Sequence, residues 1–333
     1  MWWQRLFKRR LSYSFNQYLT SIRLHIARCL DEKGWKRLDE PHQALFHDEY
    51  MELDDVVSAH LEQKHLLWGL LRRHQLDCMP LTFPMNDLTY PKVLEDIRAT
   101  VKEAIPIWFL KPALLNNGDE IVLLNDINQV ADYFRRPKHL EGDHVLQRAV
   151  HPPALMEGRK FTFRLSGILT NEPGVYLYDT GYLNISALRY EDGADLTLKK
   201  RHVTNYLIEG NIAGIEQRLS SEYPQFKTQI YPKMMEIVKS TVLALLSEYP
   251  NYLRRDEKAK FEIFGFDFML DQANRLWLIE INQGPDFPVD PNHPLFDTLW
   301  DPFWHDVTDN FVLPLFAEIT KAIPHRQRWV RLV

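Results

Sequence analysis

Two neighbouring strand-like segments constrain this chain more than any other feature. Phe261 to Leu270 reads FEIFGFDFML, and Leu276 to Asn282 reads LWLIEIN, with Asp271 to Arg275 supplying turn residues between them. Successive side chains of a strand point to opposite faces. Phe264, Phe266, Phe268 and Leu270 therefore share one face, and Asp267 lies on the other. In the second segment Glu280 and Asn282 share a face, and Trp277, Ile279 and Ile281 are expected to point away from them. If Asp271 pairs with Leu276 across the loop, Asp267 falls opposite Glu280, whereas a slip of one residue would separate them. The first register is expected because it gathers two carboxylates and an amide. Such a set suits magnesium, which takes hard oxygen ligands and leaves room for phosphate and water. Ordinary strands with solvated polar residues are the plain alternative. It is strained here, since Glu280 and Asn282 end a very apolar run and Gly284 and Pro285 then turn the chain.

Upstream, other segments alternate in the same way. WFLKP (Trp108 to Pro112) and the apolar run Ile121 to Leu124 flank a loop containing Gly118, a hairpin able to fold over a phosphate chain. Val145 to Arg148 reads as a strand. In KFTFRL (Lys160 to Leu165), period two places Phe161, Phe163 and Leu165 in the core and Lys160, Thr162 and Arg164 opposite. Val175 to Tyr178 and Tyr182 to Ser186 flank Asp179-Thr180-Gly181, a hairpin turn signal. Helices are expected over about 42–78, 227–249 and 303–319, the last interrupted at Pro314.

Composition excludes several classes. A chain of 333 residues with 45% hydrophobic and 26% charged residues can bury a full core unaided. The cysteines, Cys29 and Cys78, build neither a disulfide framework nor a zinc site, and they fit a reducing compartment such as the cytoplasm. A net charge of −5 gives no reason to expect nucleic acid. No apolar run approaches the roughly 20 residues needed to span a bilayer. The first thirty residues hold Arg5, Lys8, Arg9, Arg10, Arg23 and Arg28 and no acid. That arm suits a membrane surface, an organelle transit peptide, or a helix docked on the domain with its bases in water.

Taken in order, these segments resemble the tubulin-tyrosine-ligase-like branch of the ATP-grasp superfamily. FGFDFML followed by LWLIEINQGP is similar to the family's metal signature, which implies Asp267, Glu280 and Asn282 as magnesium ligands. WFLKP resembles its strand ending in Lys-Pro and implies Lys111 at the ATP phosphates, with Gly118 in the phosphate loop. Gln147 and Arg148 match the strand bordering adenine. RKFTFR implies that Lys160 and Arg164 point into the cleft, and HVTNY implies Thr204 and Asn205 near nucleotide or acceptor. The similarity runs with gaps from about Trp108 to Phe316.

The resemblance implies an α+β chain of ATP-grasp fold, with two β-rich subdomains sandwiching the nucleotide and a mostly helical N-terminal region. The expected division is a basic arm (1–40), a helical subdomain (41–100), a central subdomain (101–152) and a C-terminal subdomain carrying the metal site (153–333). The implied activity is ATP- and magnesium-dependent carboxylate–amine ligation through an acyl phosphate, with Arg164 and Lys160 catalytic. The implied partners are a free amino acid and a protein or peptide carboxylate. Four positions depart from the family pattern. Asn117 stands for a usual lysine, Glu120 for glycine, Thr162 for aspartate and Asn184 for a substrate-facing arginine. These changes shift the expectation away from tubulin tyrosination itself. They also leave a nucleotide-binding scaffold without transfer activity as the alternative.

Overall fold

The computed structural model describes the chain except residues 1–10, 17–19, 104, 116, 117, 119, 173, 192–194, 205–213 and 256, and the side chain of Lys200. Strands β1 (Ser12–Ser14), β2 (Lys36–Arg37) and β3 (Phe46–His47) form a small parallel sheet in the order β2-β1-β3. Helix α1 (Ser21–Glu32) connects β1 to β2 and begins at Thr20, whose hydroxyl accepts from the Arg23 amide. Helices α2 (Asp55–Glu62), α3 (Lys64–Arg73) and α4 (Tyr90–Thr100) follow. The N-terminal region is thus mixed, and the expectation of a mostly helical one is corrected. Between 41 and 51 the chain makes single 3-10 turns and a short strand, because Pro41 and the polar residues around it favour local turns over a continuous helix.

The second sheet has the order β4-β7-β5-β6, with every pairing antiparallel. Its strands are β4 (Thr82–Met85), β5 (Trp108–Pro112), β6 (Val122–Leu124) and β7 (His144–Arg148). Trp108, Leu110 and Leu146 pack on α4 and on α5 (Asn128–Phe134).

The largest sheet comprises β8 (Leu155–Met156), β9 (Arg159–Thr170), β10 (Gly174–Tyr178), β11 (Tyr182–Arg189), β12 (Glu216–Leu219), β13 (Phe261–Leu270), β14 (Leu276–Gln283) and β15 (Trp329–Arg331). Helices α6 (Tyr231–Glu248) and α7 (Asp301–Val307) lie on opposite sides of it. One face carries Phe161, Phe163, Leu165, Phe264, Phe266 and Phe268 into a core shared with α2, α3 and α6. The opposite face divides along its length. Its Ile168, Tyr176, Tyr178, Phe261 and Ile263 end is covered by an aromatic core including Trp300, Phe303, Trp304 and Trp329. At the other end the same face presents Thr162, Arg164, Asn184 and Asp267, and among the described residues no apolar layer covers them. This uncovered half of the face positions the site.

The expected hairpin about Asp179-Thr180-Gly181 does not form. β10 pairs with β9 at Gly167–Thr170 and β11 pairs with β9 at Arg159–Arg164, so the two lie end to end along one long strand. A 12-residue β9 offers enough edge for both. The linking turn passes so close to β9 that a Cβ on Gly181 would lie 2.1 Å from the Arg164 carbonyl oxygen.

Candidate functional site

Register across the large sheet aligns four side chains in one row. Tyr182 on β11 pairs with Arg164 on β9, Arg164 pairs with Asp267 on β13, and Asp267 pairs with Glu280 on β14. The last pairing depends on a β-bulge. From the turn, Leu270 faces Leu276 and Phe268 faces Leu278. An extra residue, Ile279, then shifts the register so that Asp267 meets Glu280. The bulge also changes which residues are buried. Leu276, Leu278 and Ile281 enter the core, Ile279 lines the cavity beside Glu280, and Trp277 Nε1 donates to Asp271 (3.1 Å). The expected faces of Trp277 and Ile279 are corrected accordingly, since a bulged residue breaks strict alternation.

Above this row lies a cavity of about 460 Å³, within the range of small-molecule sites. The four-stranded sheet contributes Phe109, Lys111, Gln147 and Arg148 to its lining, and the large sheet contributes Arg164, Asp267, Glu280 and Asn282. Arg164 Nε and Nη2 each donate to one carboxylate oxygen of Asp267, the second at 2.6 Å. Two parallel charge-assisted bonds of this kind fix geometry as well as charge. Gly265 makes room for the pair, because a Cβ there would lie 3.0 Å from Arg164 Cδ. Asn282 Nδ2 donates to Asp267 Oδ2 (3.3 Å). Lys64, which opens α3, donates to the Leu115 carbonyl (2.8 Å) and stands 3.5 Å from Glu280 Oε2. Lys111 Nζ donates to Gln147 Oε1 (2.8 Å), and Gln147 Nε2 donates to Thr82 Oγ1 (3.0 Å).

Burial and charge act in opposition here. Burial pulls the Lys111 ammonium down to about 8, against the attraction of Glu280. Burial pushes the Glu280 carboxyl up, but Lys64, Lys111 and Arg164 more than offset it and hold Glu280 low. Burial raises Asp267, Arg164 opposes that rise, and the charge on Glu280 adds to it.

Most residues singled out in the sequence converge on this cavity. Thr204 is buried in its wall, with its hydroxyl 3.0 Å from that of Thr162. Arg148 also lines the cavity and is tied to Glu103 (2.6 Å). Asn184 accepts from Gln217 Nε2 (2.7 Å) on the cavity face. Lys160 shares that face of β9 but stands outside the lining, only 2% exposed, with its ammonium 4.5 Å from the centre of the Tyr190 ring. Gly118 and Glu120 both have left-handed φ, +77° and +56°, in the loop between β5 and β6. Asn117 and Asn205 lie outside the described residues.

Sequence inspection missed Lys64, His202, Gln217 and the segment Asp286 to His293, all of which line or approach the cavity. Lys64 reads in sequence as a basic residue flanking an apolar helix, and only the fold shows that it is 4% exposed against Glu280.

The donor set fits a hard divalent cation only in part. Among the described residues no group of three or more His, Cys, Asp and Glu side chains has metal-binding geometry. Two facing carboxylates and an amide are nevertheless what magnesium uses when phosphate and water complete its shell. Asp267 has lone pairs beyond the two that Arg164 engages.

Known proteins share sequence with this chain. The model of the tubulin-tyrosine ligase family matches residues 56–318. Tubulin glycylase 3D of Tetrahymena thermophila is 28% identical over 200 residues, covering 54% of this chain and 18% of that protein. Mouse tubulin polyglutamylase TTLL13 is 27% identical over 184 residues, covering 47% of this chain and 23% of its own. A probable alpha-tubulin polyglutamylase, Ttll1, of Tetrahymena thermophila is 25% identical over 242 residues and is covered over 55% of its length. The chain therefore spans only a part of each of these relatives. With the family model covering most of its length, the chain belongs to the tubulin-tyrosine ligase family.

Proposed function

We propose that this chain binds ATP with magnesium in the cavity and joins an amine to a protein or peptide carboxylate. The observation that carries this reading is the convergence of Lys64, Lys111 and Arg164 on the facing carboxylates of Asp267 and Glu280. So many buried charges are costly unless a charged ligand completes them. In this reading the four-stranded and large sheets are the two halves of an ATP-grasp arrangement. The chain divides into 1–40, 41–100, 101–152 and 153–333. Gln147 and Arg148 border adenine, and Lys111, Lys64 and the loop at Gly118 meet the phosphates. Asp267, Glu280 and Asn282 hold magnesium, which when bound would neutralise phosphate charge. Thr204 and Asn205 lie near nucleotide or acceptor.

The chemistry needs alignment and charge compensation more than proton transfer. A substrate carboxylate oxygen attacks the γ-phosphorus, the bond to the bridging oxygen breaks, and ADP leaves. The amine nitrogen then attacks the acyl carbon of the acyl phosphate, loses a proton, and phosphate departs. Arg164, held between Tyr182 and Asp267, faces the charge that develops on the transferred group. Lys160 supports the same face from behind Tyr190.

Family membership supports a protein carboxylate as acceptor and a free amino acid as the amine, since the relatives are named glycylases and polyglutamylases of tubulin. The free cysteines Cys29 and Cys78 support a cytoplasmic location. One observation favours the second reading, a nucleotide-binding scaffold. Asn184 and Gln217 form a neutral amide pair where the family pattern has an arginine. The test is ADP release by intact protein given magnesium, ATP, single amino acids and glutamate-rich peptides. Release that requires both amine and peptide supports the ligase. ATP binding without such release supports the scaffold.

A further inference from the structure

The family match begins at residue 56, yet the cavity depends on residues before it. Immediately after Glu280 and Asn282 the chain reverses at Gly284 (φ +55°), then runs along the cavity, where Asp286, Pro288, Asp290 and His293 line the wall. This wall is fastened from outside by α1. The Phe287 amide donates to Ser21 Oγ (3.0 Å), and that hydroxyl donates to Asp286 Oδ1 (3.3 Å). His25 Nε2 donates to the Pro288 carbonyl (3.0 Å). Ile22 Cδ1 lies 3.9 Å from where a Cβ on Gly284 would stand. Three consecutive wall residues, 286 to 288, are thus held by two side chains one helical turn apart on one face of α1.

Helix α1 is itself fixed. Ile26, Cys29 and Leu30 are fully buried, and the His25 ring stacks on Trp304 with centroids 4.9 Å apart and an 8° interplanar angle. Arg28 is bound to Asp301 (2.7 Å) and Arg23 to Asp48 (2.5 Å). Burial lowers His25 to about 4, so the ring is neutral near pH 7 and can give Nε2–H to Pro288. The residues proposed above for adenine, the phosphates and magnesium stand mostly on other elements, β5, β7, β13 and β14. The clamped wall lies on the stretch that follows the candidate metal ligands and lines the same cavity as Asn184 and Gln217.

We infer that α1 is a specificity clamp, in which Ser21 and His25 are positioning residues that set the 286–290 wall where the incoming amine binds. The assignment of that wall to the amine rests on the ligase reading above; the clamp itself does not. A ligand pocket tolerates displacements of only about half an ångström in its supporting residues. Loosening the wall should therefore weaken amine binding and leave nucleotide binding intact.

The experiment compares intact protein with Ser21→Ala, His25→Phe and His25→Gln. Phenylalanine keeps a ring against Trp304 and removes the donor, whereas glutamine restores an amide donor. Hydrogen exchange of residues 284–293 is read with 261–283 as internal reference, together with magnesium–ATP affinity and glycine and glutamate KM values from ADP release. The expected result is at least tenfold faster exchange confined to 284–293 in Ser21→Ala and His25→Phe, partly reversed in His25→Gln. ATP affinity should stay within twofold and the amino acid KM should rise at least fivefold. Unchanged exchange in 284–293, or equal loosening of 261–283, overturns the clamp. Equal shifts for ATP and amino acid, or no shift in either, overturn its role in amine selection. Failure of the intact protein to bind ATP would instead strike the ligase reading, and the exchange result would still decide the clamp.

Discussion

Arg164 and Asp267 lie on adjacent strands, paired in register and joined by two parallel hydrogen bonds on the floor of the cavity. The same carboxylate faces Glu280 and receives the Asn282 amide, so one ion pair organises the whole polar row.

Removing one member of that pair should cost more than removing both. Arg164→Leu leaves a buried carboxylate uncompensated and is expected to cost about 3 kcal/mol of stability. Combining it with Asp267→Asn should recover more than half of that loss in chemical denaturation. Simple additivity of the two substitutions would show that the pair is not coupled.

Lys64 lies outside every motif visible in the sequence but stands 3.5 Å from Glu280. Lys64→Met is expected to weaken magnesium–ATP binding about tenfold, or ~1.4 kcal/mol. Calorimetric titration of the variant checks this, and unchanged affinity would remove Lys64 from the site.

Two glycines should respond in opposite senses. A Cβ on Gly181 would lie 2.1 Å from the backbone oxygen of Arg164, so Gly181→Ala is expected to destabilise by at least ~3 kcal/mol. Gly69 is inside α3, where an added Cβ meets only the end of the flexible Arg73 side chain at 3.0 Å. Gly69→Ala should stabilise by up to ~1 kcal/mol through helix propensity. Thermal melts of both variants give the signs.

Glu262 gives the expected pH dependence. It is 4% exposed, with oxygens that accept from Ser58 (2.7 Å) and Gln283 (2.6 Å), and burial pushes it up to about 7. A folded pKa above the unfolded one means that the neutral acid is the form favoured by folding. Its contribution is fully present below about pH 4.5 and fades as pH rises through about 7. Glu262→Gln should therefore be more stable than the intact protein at pH 8, by up to ~3 kcal/mol, and similar to it at pH 5. Unfolding free energies measured at both pH values would reveal a missing difference.

Much of this site was legible because strand periodicity alone gathers Thr162 and Arg164 on one face and Asp267 opposite a phenylalanine row. The clustering of oxygen ligands predicts the pairing of Asp267 with Glu280, but not the register that leads to it. The bulge at Ile279 is invisible in composition, because a residue that breaks alternation resembles one that keeps it. The turn at Asp179 misled for a related reason. Local turn chemistry says that the chain reverses there, not which strand each arm then joins. Lys64 and the α1 clamp are long-range contacts, separated by more than 200 residues from their partners at Glu280 and Pro288, and no local pattern encodes them.

Magnesium-dependent ATP binding through Glu280 is tested most directly by calorimetric titration of ATP into intact protein and Glu280→Gln, each with and without magnesium. Binding is expected to strengthen with magnesium in the intact protein and to lose at least tenfold of that affinity, with most of the magnesium dependence, in Glu280→Gln. Affinity that is indifferent to both magnesium and Glu280, or no binding by the intact protein, would contradict it.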